Sequence, residues 1–136
     1  MLVEDVMSRS LVTIAPEETL RAALDLLLSH RIRHLPVVDG SALVGIVTDR
    51  DVKRATPSVL SGIDRDEHDR VLATTKVAQI MTRDPTTVTP KTRLKAAVEI
   101  FIKRRVGALP VVEDARLVGI LSDADIMRVA LDLLPD

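Results

Sequence analysis

Two short stretches of the chain carry residues that could do chemistry. They read Thr48-Asp49-Arg50-Asp51 and Ser122-Asp123-Ala124-Asp125, a hydroxyl followed three positions later by a carboxylate. A carboxylate so placed can accept two hydrogen bonds from a vicinal diol such as that of ribose. A helix start beside it would offer unpaired N–H groups and a positive dipole end to a phosphate. The same spacing before an apolar run is also close to a capping box, in which hydroxyl and carboxylate serve the helix itself. Pattern alone does not choose between ligand and cap. Around the first stretch stand Arg31, Arg33, His34 and Arg50, whereas the matching positions of the second are Arg105, Gly107, Ala108 and Ala124. Guanidinium groups favour phosphate by charge and bidentate geometry, so a phosphate is expected at the first stretch. The alternative is that these arginines are solvated helix-end and loop residues.

Other chemistries find little support. His30 and His34 are four apart but straddle an expected helix end, with no carboxylate or cysteine close in sequence to complete a metal set. No metal is expected. The chain has no cysteine, no nucleophile beside a base and no phosphate-binding glycine loop. Gly45 and Gly119 are isolated strand glycines, and Asp49/Asp51 and Asp123/Asp125 are better explained as caps or diol acceptors than as acid–base pairs. Neither catalysis nor a catalytic cofactor is therefore expected. With 19 basic and 20 acidic residues, no tryptophan or tyrosine and one phenylalanine, the chain has neither field nor stacking surface for nucleic acid or anionic lipid. No apolar run approaches the roughly 18 residues of a membrane span. The acidic start MLVEDVMSRS lacks the basic character of a signal peptide, so a cytoplasmic protein is expected.

The elements that must position these residues form an internal repeat. Pro36 and Pro110, Gly45 and Gly119, and Asp51 and Asp125 are each 74 positions apart. One supersecondary unit is therefore used twice. Each copy begins with a helical lead-in (Val3–Met7, Val77–Met81) and a short strand (Leu11–Ile14, Thr86–Val88) halted by Pro16 or Pro90. A helix follows, from Leu20 to about His30 with Thr19 as a possible cap, and from Leu94 to Arg104 with Thr92 as cap. An antiparallel hairpin comes next (Leu35–Val38 with Leu43–Val47; Leu109–Val112 with Leu117–Leu121). A last helix closes each copy, from Asp49 to about Ala55, ended by Pro57, and from Asp123 to about Leu134. The pattern is β-α-β-β-α twice, an α+β fold. Repeat 1 is expected over 1–56 and repeat 2 over 77–136. A solvated connector with one or two helical turns is expected over 57–76. The helices are apolar on more than one side, and the last is too apolar all round to sit exposed, so it should also pack on a neighbour.

These residues carry a family resemblance. DVMSRSLVTIAPEETL with RIRHLPVVD and LVGIVTDRDVKRA resembles a CBS domain, and IMTRDPTTVTPKTRL with GALPVV and LVGILSDADI resembles a second. The chain is thus similar to a tandem CBS pair (a Bateman module) of the small stand-alone bacterial kind. That kind includes the CBS part of acetoin-utilisation accessory proteins, although the carboxy-terminal domain of those is not in this sequence. The resemblance implies two repeats packed sheet to sheet with pseudo-twofold symmetry, and a homodimer formed through the helices. It also implies clefts that bind AMP, ADP, ATP or S-adenosylmethionine as regulatory ligands, sensed on behalf of a protein partner that the sequence does not name. Mapped onto this chain, Thr48 and Asp51, then Ser122 and Asp125, would hold ribose. The base would lie beside Thr13, Ile14, His34, Leu35 and Pro36 in one copy, and Thr87, Val88, Gly107, Ala108, Leu109 and Pro110 in the other. Arg33, His34 and Arg50 would take the phosphorylated end. The second site would then hold a neutral adenosyl group, a weaker ligand, or nothing. The competing expectation is a ligand-independent dimerisation module with degenerate clefts.

Overall fold

The computed structural model describes residues 1–136 except Val59 and Ser61, two positions of the expected connector that lie outside the described residues. The chain is a mixed helix and strand protein with antiparallel hairpins. It divides into two compact units, one of Val12–Asp84 and one of Met1–Leu11 with Pro85–Asp136.

In the Val12–Asp84 unit, α1 (Leu20–Ser29) starts at Thr19, whose hydroxyl accepts the Ala22 N–H at 3.2 Å. It ends in a Schellman motif: Ile32 N–H reaches Leu27 O at 3.1 Å and Arg31 N–H reaches Leu28 O at 3.3 Å. Arg31 takes the left-handed conformation usual for glycine there, at φ 54°. Strands β1 (His34–Asp39) and β2 (Ala42–Thr48) pair antiparallel, with a shift between Val37 and Val38. Helix α2 (Asp49–Ala55) follows β2 without a gap. The core gathers Leu20, Ala23 and Leu27 of α1, Leu35 and Val37 of β1, Val47 of β2 and Val52 of α2.

The connector differs from expectation. Arg65–Thr74 forms a ten-residue helix, α3, capped by Asp64, which accepts the Glu67 N–H at 2.8 Å. Its charged face is solvated, but Leu72 is 1% exposed and belongs to the core of this unit. A solvated linker would bury nothing; this helix packs against α1. Helix α4 (Val77–Ile80) and the two-residue strand β3 (Thr82–Arg83) complete the unit, β3 pairing antiparallel with Gly45 and Ile46 of β2.

The second unit repeats this plan. Helix α5 (Leu94–Arg104) leads to the hairpin of β4 (Ala108–Glu113) and β5 (Arg116–Ser122), then α6 (Asp123–Leu133). Thr92 is not the cap of α5. Arg93 holds the cap position without a side-chain bond, the Thr92 hydroxyl accepts the Thr89 N–H at 3.0 Å, and the Leu94 N–H goes to Met1 O at 3.0 Å. The lead-in, with a 3₁₀ turn at Val3–Asp5, is therefore part of how α5 begins. Lys91 fixes it further, its ammonium 2.7 Å from Glu4, a bond that raises the lysine pKa above its ordinary value.

The expected first strand of each copy contracts to a single parallel bridge, Ile14 to Val37 and Val88 to Val111. Prolines on both paired segments explain this. Extending the ladder towards Val12 would need an N–H from Pro36, and extending it past Ile14 would need one from Pro16. Pro110 and Pro90 impose the same limits on the second copy.

The compact units are not the sequence repeats, because each contains the other repeat's lead-in. In the Val12–Asp84 unit, Met81 and Thr82 press on Gly45, where an added Cβ would meet Met81 Sδ at 2.6 Å and Thr82 O at 2.9 Å. In the other unit, Met7 and Ser8 press on Gly119, with Sδ at 2.6 Å and Ser8 O at 3.0 Å from the same position. Both strand glycines are thus required by close approach of backbone.

Candidate functional site

The open end of each hairpin gathers the chemistry-bearing residues. In the Val12–Asp84 unit His34 pairs with Thr48, and the Asp49 N–H donates to Arg33 O at 3.0 Å. The residues entering β1 and leaving β2 are thereby held side by side. The Ile14 N–H donates to Pro36 O at 3.1 Å and the Val38 N–H to Ile14 O at 2.9 Å, so Thr13 and Ile14 run along the outer edge of β1. Thr13, His34, Thr48 and Asp51 are half-buried and Arg33 and Arg50 exposed, whereas Ile14, Leu35 and Pro36 are core residues. These last three can offer a ligand backbone and little side chain.

The capping-box reading is realised in both copies. The Asp51 N–H donates to Thr48 Oγ1 at 3.1 Å, and the Thr48 N–H donates to Asp51 Oδ2 at 2.9 Å. The Asp125 N–H donates to Ser122 Oγ at 3.2 Å, and the Ser122 N–H to Asp125 Oδ2 at 2.8 Å. A cap uses one carboxylate oxygen and leaves the other. Among the described residues, Asp51 Oδ1 accepts no hydrogen bond. Cap and ligand contact are therefore compatible in one aspartate.

The second copy is built alike. Ala108 pairs with Ser122, the Asp123 N–H donates to Gly107 O at 2.9 Å, and the Val88 N–H donates to Pro110 O at 3.1 Å. Thr87, Gly107, Ser122 and Asp125 are half-buried, while Val88, Ala108, Leu109 and Pro110 belong to the core. Asp125 departs from Asp51 in one respect: its Oδ1 accepts from Arg128 Nη1 at 2.8 Å. The equivalent Arg54 makes no such pair with Asp51 among the described residues. Sequence reading passed over Arg128, although the three-residue spacing from Asp125 on an expected helix was a visible signal for the contact.

The basic residues of the first copy are partly brought together. Arg31 and Arg33 line a groove of about 370 Å³ between α1 and α2 with Lys53 and Asp49 at its rim and Leu24, Leu27, Leu28, Ile32 and Val52 along it. Arg50 points from the first turn of α2 and is not part of that lining. Lys53 is a cation that motif reading did not single out. Among the described residues no group of three histidines, cysteines or carboxylates is placed to hold a metal ion, and no helix is long and apolar enough to cross a membrane.

Comparison with known proteins identifies the family and the fold. The CBS domain family model matches residues 3–58 and 77–132. A CBS domain-containing protein of Dictyostelium discoideum is 35% identical over 136 residues, covering 98% of this chain and 94% of its own. The inosine-5′-monophosphate dehydrogenase of Korarchaeum cryptofilum is 36% identical over 124 residues, and there the matched stretch covers 90% of this chain but 23% of the relative. Among solved structures, AcuB from Vibrio cholerae matches with a TM-score of 0.81 at 34% identity, over 98% of this chain and 92% of that one. The CBS domain pair of protein MJ0100, in complex with 5′-methylthioadenosine and S-adenosyl-L-methionine, matches at 0.80 and 29% identity, covering 97% of both chains. CBSX2 in complex with AMP matches at 0.79 and 29% identity, again covering 97% of both.

Proposed function

The chain belongs to the CBS-domain family as a pair of repeats, and from that premise we propose that it is a non-catalytic, cytoplasmic regulatory module that binds adenosine-containing ligands and signals their presence to a protein partner. The observation that carries this reading is the unused Oδ1 of Asp51. A half-buried carboxylate, already oriented by its own cap, presents an acceptor to a ribose diol with little left to organise. Thr48 and His34 flank it, and the edge of β1 with Thr13 offers polar backbone and aliphatic faces to a base. Relatives seen with AMP, 5′-methylthioadenosine and S-adenosylmethionine agree with an adenosine ligand, and AMP, ADP, ATP and S-adenosylmethionine are the ligands to test. Arg33 and Arg50 are assigned to the phosphorylated end, which favours the adenylates and a role in sensing energy state. Signalling requires that the ligand bind two arrangements of the protein unequally.

Substitution of Asp51 by asparagine tests the assignment. Asparagine can keep the Thr48 cap through its amide oxygen but loses the charge that strengthens hydrogen bonds to the diol. Charge-assisted bonds contribute about 1.5–3 kcal/mol, so AMP affinity measured by titration calorimetry should fall by roughly 10- to 100-fold. Unchanged affinity would remove Asp51 from the site.

Self-association is a second part of the reading. Of the exposed large hydrophobic residues, Met127, Leu131, Leu133 and Leu134 cluster at α6, with exposures of 68–74%. A surface of this kind on one helix suits burial against a second copy. Sedimentation should show a dimer, and the paired change Leu131→Glu with Leu133→Glu should yield monomers with intact thermal unfolding. A monomeric unsubstituted protein would contradict it.

A further inference from the structure

The two aspartates of the repeat differ in what holds their second oxygen. Asp51 Oδ2 caps α2 and its Oδ1 is open among the described residues. Asp125 Oδ2 caps α6 in the same way, yet its Oδ1 is held by Arg128 at 2.8 Å. Asp125 is 14% exposed at the side chain, so Oδ1 has few directions from which to accept, and the guanidinium occupies one of them. Arg128 is itself 73% exposed and reaches Asp125 from the next turn of the same helix. It can therefore swing into solvent without disturbing the fold.

We propose that Arg128 is an internal latch on the second repeat: it holds the carboxylate oxygen that a ribose diol would need, so the two repeats take adenosine ligands with unequal affinity and the first fills first. This rests on the assignment of Asp51 and Asp125 as diol acceptors. Arg128 is a positioning residue here, since it competes with the ligand instead of contacting it. The mechanism is simple competition. A diol hydroxyl must displace one N–H donor from Oδ1, and the guanidinium then regains water. An exposed charge pair of about 1 kcal/mol weakens binding by roughly fivefold, which separates two sites without closing either. The missing cations at Gly107, Ala108 and Ala124 act in the same direction for phosphorylated ligands.

The test uses the full chain and AMP as probe. Asp51→Asn weakens the first site and leaves the second visible to titration calorimetry. Adding Arg128→Gln should tighten that residual site about fivefold, and Arg128→Lys should fall between arginine and glutamine. Thermal unfolding of each variant checks that the chain still folds. Residual affinity that is unchanged by Arg128→Gln overturns the latch, and affinity that falls shows Arg128 to be a ligand contact, which also overturns it. Should the unsubstituted chain bind one AMP while neither Asp51→Asn chain binds any, the second repeat has no receptive site and the latch is wrong while the adenosine assignment stands. Absence of AMP binding by the unsubstituted chain, with no response to adenosine, ATP or S-adenosylmethionine, would instead remove the adenosine assignment and the latch with it.

Discussion

At the scale of single residues, the proposed site carries its positive charge on one repeat: Arg33 and Arg50 stand where the second repeat has Gly107 and Ala124. Arg33 and Arg50 flank the hairpin end that holds Thr48 and Asp51, both residues are exposed, and the proposed reading assigns them the phosphate. Replacing both by alanine should weaken ATP by at least tenfold while leaving adenosine within about twofold, because only the former engages guanidinium–phosphate pairs of about 1.5 kcal/mol or more. Parallel loss of both ligands would place the arginines elsewhere than at the phosphate. A different residue test concerns the hairpin turns. Gly40 has φ 64° in the first turn, whereas the second turn places Asp114 at φ 52° and Ala115 at φ 65°. An alanine in the left-handed region costs about 1 kcal/mol relative to glycine. Ala115→Gly should therefore raise stability by about that amount in denaturant unfolding; a loss would mean the turn is not strained. The hydroxyl-x-x-aspartate pattern was fully legible as a pair of alternatives; the cap forms in both copies and uses one carboxylate oxygen, so the proposed diol contact falls to the other. What no motif could reveal is which oxygen is occupied, since Asp51–Arg54 and Asp125–Arg128 share one spacing and only the second pair forms.

At the scale of elements, most of the chain is readable from periodicity and punctuation. Thr19 caps α1, Pro57 stands just past α2, and the turn residues around Gly40 join β1 to β2. The departures have physical causes. Pro16 and Pro36 forbid a longer first strand, and that constraint was present in the sequence although it needs the pairing partner to be known. Helix α3 was hidden because seven consecutive polar or charged residues, Asp64–Arg70, mask the two apolar residues that matter, Val71 and Leu72. Leu72 gives the direct check. Its truncation to alanine should cost about 2–5 kcal/mol, the range for a large aliphatic side chain removed from a packed core. A cost below 0.5 kcal/mol, as expected for a typical surface site, would return the segment to a solvated linker.

At the scale of the molecule, the chain exchanges its lead-ins. Met1–Leu11 packs with Pro85–Asp136, and the segment Val77–Arg83 packs with the first hairpin. Repeat periodicity cannot show such an exchange, because both arrangements have the same sequence; Gly45 and Gly119 mark it only once Met81 and Met7 are seen against them. Gly45→Ala should destabilise the fold by about 1–3 kcal/mol, because the Met81 thioether can move aside but the Thr82 carbonyl in the sheet cannot. The central claim, that this CBS pair holds an adenosine ligand, has a direct spectroscopic test. The chain has no tryptophan or tyrosine and a single phenylalanine, so bound adenine dominates absorbance near 260 nm. Purified protein mixed in turn with AMP, ATP or S-adenosylmethionine should carry an adenine band through a desalting column, or show a saturable rise in unfolding temperature where exchange is fast. A nucleic-acid-free protein that carries no band and gives a flat thermal titration with all three would contradict the account and leave the ligand-independent assembly module in its place.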